Sequence, residues 1–288
     1  MNEALDQRLV ATASSTDAEL WMGLGCDLAD AGRGVDAEMC FRRAVELGLD
    51  WVWFNLGNSL LTQRRYEEAI VAYQHAIEAG ETDAWLNMGF AMEDVGDFVG
   101  ACEAYRAAQS ADDPKAAISL AFLLRKVGSQ SEAVAVAAQA ADAGDVLAKA
   151  VSAVWAWDKD EDPALEQALR DGIEHFGDAR TALAHLLCAT ERVPEARALL
   201  EQGAKLGEPN SWLPLGNLYR DEMDDEDAAE AAYRSGIAAG DAYSHLNLGR
   251  LLEDRGDLEG AAEQFRLGAA EGDDMAVTAL RELEEDQD

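Results

Sequence analysis

Basic residues are scarce in this 288-residue chain: 23 lysines and arginines face 57 acids, for a formal net charge of −34. A surface of that sign is repelled by phosphate backbones and by anionic lipid, which argues against nucleic acid and membranes as partners. Prolines number five, and β-branched runs are short against abundant alanine, a mixture that favours helices over strands. The four cysteines, Cys26, Cys40, Cys102 and Cys188, have no paired spacing, so no disulfide framework is expected and a reducing compartment is. The longest apolar run, residues 116–124, contains Ser119 and falls far short of a membrane span. The opening Met1-Asn-Glu-Ala-Leu-Asp-Gln-Arg8 carries acids and no apolar stretch, and so does not read as a secretory signal. The expectation is a soluble, cytoplasmic protein.

What the chain does have is a period. A small residue recurs at Gly25, Gly57, Gly89, Ala121, Ala153, Ala184, Gly216 and Gly249, at steps of 31 to 33 residues. An alanine follows twelve or thirteen residues later, then an aromatic at Phe41, Tyr73, Tyr105, Tyr233 and Phe265. So regular a step means stacked units rather than one globular core. In the second unit, residues 51–61 place apolar residues at helical spacing, Thr62-Gln-Arg-Arg65 breaks the pattern, and residues 66–77 resume it. The unit is a helical hairpin. Gly48, Gly80, Asp112, Gly144, Gly177, Gly207, Gly240 and Gly272 stand where a left-handed residue closes each second helix. The small residue opens a close seam inside each hairpin, and the aromatic is expected to fill the gap towards the next unit.

These residues resemble the tetratricopeptide repeat. Trp53, Leu56, Gly57, Leu60, Ala69, Tyr73 and Ala76 sit on that family's pattern in order, as do Trp85, Met88, Gly89, Met92, Ala101, Tyr105 and Ala108. Trp21, Leu24, Gly25, Ala37, Phe41 and Ala44 match, and so do Trp212, Leu215, Gly216, Tyr219, Ala229, Tyr233 and Gly236. The step of 32 and the glycine closure look more like the Sel-like relatives. The resemblance implies an all-α, right-handed superhelical solenoid of about eight antiparallel hairpins over residues 17–274. Residues 1–16 are expected to form a polar tail or frayed helix, and residues 275–288 a capping helix and acidic tail. The pattern lapses over residues 146–207, where Ser152, Ala153 and Gly172 replace expected residues and Arg180 takes a tryptophan's place; a hinge is expected there if anywhere.

Signals for catalysis are thin. His75, His175, His185 and His245 fall in different units. His185 and Cys188 are one helical turn apart, but zinc needs three or four ligands and no Cys-x-x-Cys or His-Glu-x-x-His is present. Gly32-Arg-Gly34 lies between helices rather than after a strand, so it is no phosphate loop. Neither a cofactor nor a metal is expected. Equal phase makes Trp21, Trp53, Trp85 and Trp212 core residues. Trp51, Trp155 and Trp157 are out of phase and are expected to be exposed or to face a groove.

The resemblance further implies a non-enzymatic protein-interaction scaffold whose partner lies along a concave face built by the first helices. Counted from the small residue, the lining includes Trp51, Phe54 and Asn58, then Phe90, then Lys115, Phe122, Arg125 and Lys126. Residues 51–66 and 114–131 hold no acid but include Arg64, Arg65, Lys115, Arg125 and Lys126. An aromatic floor beside a basic spot suits a peptide with an acidic group. The family's carboxylate-clamping set is not reproduced: Asn58 and Asn87 are suitably placed, but Phe54 takes a lysine's position. Two alternatives stand beside this reading: an acidic solenoid that binds or inhibits a basic protein by charge, and an enzyme or cofactor-binding protein on a helical scaffold.

Overall fold

A computed structural model describes residues 2–285 and contains eighteen α-helices and no strand among them. The residues divide by contact into two compact units, 1–140 and 141–288. In the first unit, α1 (Asn2–Thr12) precedes the pairs α2 (Ala18–Asp30) and α3 (Gly34–Glu46), α4 (Trp53–Thr62) and α5 (Tyr66–Glu78), α6 (Ala84–Asp94) and α7 (Phe98–Ser110). Next comes α8 (Ala116–Lys126), and α9 (Gln130–Asp142) carries the dividing line. The second unit holds α10 (Val146–Asp160) and α11 (Glu166–Gly172), α12 (Asp178–Ala189) and α13 (Val193–Lys205), α14 (Trp212–Asp221) and α15 (Glu226–Ala238), α16 (Tyr243–Asp254) and α17 (Leu258–Ala270), then α18 (Asp274–Glu285).

Each hairpin closes on its small residue. A methyl group added to Gly57 would lie 2.5 Å from the Tyr73 ring, and one added to Gly25 would lie 2.6 Å from Phe41. Gly89, Gly216 and Gly249 face Tyr105, Tyr233 and Phe265 in the same way. The aromatics therefore fill the seam of their own hairpin rather than only the gap to the next one. All five rings are almost completely buried. Where the small residue is alanine, the residue in the aromatic's place is Ala137, Leu169 or Leu200, so methyl and ring alternate in one space.

Left-handed residues end the second helices at Gly48, Gly80, Gly144, Gly207, Gly240 and Gly272, and Asp112 does the same at φ 61°. Gly177 does not: its φ is −55° and it precedes α12. Its hairpin has a second helix of seven residues, so the chain leaves that helix at Gly172, before the expected closure. Trp155 and Trp157 lie in the first helix of the same hairpin. Both are buried, at 7% and 6% exposure, contrary to the expectation of exposed or groove-facing rings: they lie on the inward side of α10 together with Val151 and Val154.

The ends are covered. Residues 2–12 form a helix whose Leu5 packs into the cluster of Trp21, Leu24 and Leu28. At the other end Ala276, Ala279 and Leu283 of α18 cover Leu246 and Phe265; residues 286–288 of the expected acidic tail lie outside the described residues. In the second unit, Arg180, in a tryptophan's place, is 3% exposed. Its guanidinium donates to both Glu208 carboxylate oxygens, at 2.7 and 3.1 Å, and to the Leu199 carbonyl at 3.3 Å.

The first-helix face and its side chains

In the first unit the first helices α2, α4, α6 and α8 carry the residues that the spacing assigned to a groove. Phe90 and Phe122 occupy equivalent positions, one residue after Gly89 and Ala121, and are 37% and 39% exposed. Trp51, in a short 3-10 turn ahead of α4, is 43% exposed. Phe54 is half-buried and packs 6.2 Å from the Tyr73 ring; Phe90 meets the edge of Tyr105 at 5.6 Å. The seam aromatics Tyr73 and Tyr105 therefore support Phe54 and Phe90 from beneath.

Asn58 is committed within the protein. Its Oδ1 accepts from the Tyr73 hydroxyl at 2.8 Å and from Asn87 Nδ2 at 2.9 Å, tying α4, α5 and α6 together. Asn217 accepts from the Tyr233 hydroxyl at 2.8 Å in the second unit. At Glu93 a carboxylate replaces the amide: Tyr105 donates to it at 2.6 Å. Burial, then the Glu93 carboxylate, push the Tyr105 phenol up, so it remains a donor. Burial likewise raises the Tyr233 phenol, to about 12.

The basic spot is less available than the sequence suggests. Lys126 Nζ lies 3.5 Å from Glu93 and 4.9 Å from the centre of the Phe98 ring. Arg65 belongs to another network: it donates to Glu38 at 2.6 Å and to Glu68 at 2.7 and 2.8 Å. Glu38 also accepts from Arg42 and Gln63. Burial pushes the Glu38 carboxyl up, and these hydrogen bonds outweigh it, holding the group below its ordinary value. The linkage recurs. Arg33 reaches Asp6, Arg192 reaches Glu166, and Arg255 reaches Glu226 and Glu230. Each arginine lies in or beside an interhelix turn and returns to the element before its own hairpin. The partners are 25 to 29 residues apart, close to one repeat, and that spacing is the signal from which sequence reading could have found them. Lys115 is exposed just before α8, and Arg125 is half-buried.

In the second unit the corresponding positions line a groove of about 580 Å³ between α10, α12, α14 and α16. His185 lies in it, with Asp178, Leu213 and Tyr243. Desolvation among these walls pushes the His185 imidazole down, against the upward pull of Asp158 and Glu161. Among the described residues no three His, Cys, Asp or Glu side chains gather as metal ligands, and no helix is long and apolar enough to cross a membrane.

The tetratricopeptide-repeat family profile matches residues 51–79 and 213–276. No curated protein matches the chain by sequence. Among solved structures, the chain is similar to c5321, a protective antigen of uropathogenic Escherichia coli with an SLR fold (20% identity, TM-score 0.61, 96% of this chain and 66% of that one). It is also similar to a Sel1 repeat protein from Oxalobacter formigenes (21% identity, TM-score 0.64, 97% and 91%). A third likeness is to the APC/C hetero-tetramer Cut9-Hcn1 (16% identity, TM-score 0.62, 98% and 59%). The chain thus spans 66% of c5321 and 59% of the Cut9-Hcn1 chain. At these identities the likeness shows the fold.

Proposed function

We propose that the chain, two segments of which match tetratricopeptide-repeat models and whose fold is like that of Sel-like repeat structures, is a non-enzymatic scaffold holding a peptide or protein partner against the first-helix face of its first unit. One observation carries this reading: Phe90 and Phe122, large and apolar, are both more than a third exposed at the same position of successive first helices. Large apolar side chains exposed at a repeated position are the usual anchors of recognition. Trp51 and the half-buried Phe54 extend the surface. The Glu93–Lys126 pair shifts the weight of recognition from charge to the rings.

The experiment is capture from native extract by the wild-type chain, by Phe90→Ala/Phe122→Ala and by Arg125→Glu/Lys126→Glu, each checked for unchanged helicity. Partners held by the wild type are expected to be lost from the aromatic double variant. If that variant retains every partner, this surface is not the docking face.

A further inference from the structure

The groove of the second unit differs from the first-helix face in sign as well as in place. Two of its carboxylates, Asp178 and Asp241, are accompanied by no lysine or arginine among the lining residues. Asp178 accepts from the Asn210 amide at 2.8 Å. Asp241 accepts from the Ser244 hydroxyl at 2.7 Å and from the Tyr243 backbone at 3.1 Å. Both are thus oriented by neutral donors that leave their charge in place. The unit as a whole has 35 acids against 13 bases, whereas the first has 22 against 10. Between the carboxylates the wall is apolar, from Val154, Leu213 and Pro214, and Tyr243, 62% exposed, stands in the lining.

We infer that this groove takes a cationic peptide segment of a partner protein, one in which lysine or arginine alternates with apolar residues. The carboxylates complement the charged heads. The apolar wall accepts the methylene stems and neighbouring side chains, and the exposed face of Tyr243 suits a guanidinium or ammonium. A volume of about 580 Å³ is on the scale of sites that enclose a small ligand, enough for a few side chains of an extended segment. The inference rests on the scaffold reading above but uses a different surface, so the two fail separately.

The test is fluorescence anisotropy of the full chain with a labelled peptide alternating lysine and leucine, near physiological salt to screen diffuse attraction. A glutamate-for-lysine peptide is the comparison. Tyr243→Arg puts a cation in the groove; Leu267→Arg puts the same charge at an exposed second-helix position outside its lining. The lysine peptide should bind and the glutamate peptide should not. Tyr243→Arg should weaken binding by about tenfold, on the scale of a like charge at an interface, while Leu267→Arg changes it by less than about twofold. Equal weakening by both substitutions, or no binding by the wild type, overturns the inference. Loss of the peptide from Phe90→Ala/Phe122→Ala with retention by Tyr243→Arg also overturns it, and leaves the aromatic face standing.

Discussion

Replacing Gly57 by alanine should destabilise the protein, although alanine is the better helix former by about 1 kcal/mol. The new methyl would lie 2.5 Å from Tyr73 Cε1 and 2.6 Å from Cδ1, where non-bonded carbons rest at about 3.5–4.0 Å. Relief requires a movement of about 1 Å. The ring has no exposed surface, and its hydroxyl is anchored to Asn58 at 2.8 Å. Overpacking of this kind costs about 1–3 kcal/mol; set against the gain in helix propensity, the middle of that range leaves a net loss of about 1 kcal/mol. The chain itself supplies the control, because Ala184 is matched with Leu200 in a leucine-for-aromatic hairpin. Tyr73→Leu alone should cost about 2–3 kcal/mol through lost contacts and the lost hydroxyl bond. In that background Gly57→Ala should become neutral or stabilising, a coupling of about 1–3 kcal/mol. Urea denaturation followed by far-UV circular dichroism reads all four members of the cycle, with the m-value as a check on cooperativity. If Gly57→Ala is as stable as the wild type with Tyr73 present, the seam argument is wrong.

Three further perturbations test other parts of the framework. Asp273 is 4% exposed and its Oδ2 is buried without a partner; in the preceding repeat Asp241 Oδ2 receives Ser244, but Ala276 stands at the matching place. Ala276→Ser, facing Gly268, which has no side chain, should therefore raise stability by about 1 kcal/mol in denaturant titration. Glu208→Ala should cost roughly 3 kcal/mol, because it leaves the buried Arg180 guanidinium with the Leu199 carbonyl alone, whereas Glu195→Ala in the exposed Arg192 network should leave the midpoint within error. The folded pKa of Glu38 is depressed below 4.5, so its contribution is present above that pH and lost as pH falls through the folded value. Glu38→Gln should accordingly lower stability near neutrality and flatten its decline below pH 4.5, as followed by acid titration of helicity; an unchanged acid slope would show that Glu38 is not linked to folding.

The amino-acid sequence by itself determined the hairpins, their phase and the places of their turns. These depend on helical periodicity, on closing glycines such as Gly80 and on the match of Gly57 with Tyr73, all of which act within one unit of about 32 residues. It also marked Trp51, Phe90 and Phe122, which are exposed because their helical position turns them from the seam. Tertiary structure decided which polar groups are already occupied. That Glu38 receives Arg65 shows in sequence only as a spacing close to one repeat, and nothing near Glu93 shows that it takes both the Tyr105 hydroxyl and Lys126, since those partners come from neighbouring helices and hairpins. The burial of Trp155 and Trp157 is likewise a tertiary outcome, and Asp178, Leu213 and Tyr243 come together only when the first helices of the second unit align. Local propensity fixes where a helix runs; the partner of a charge is fixed by what packs beside it.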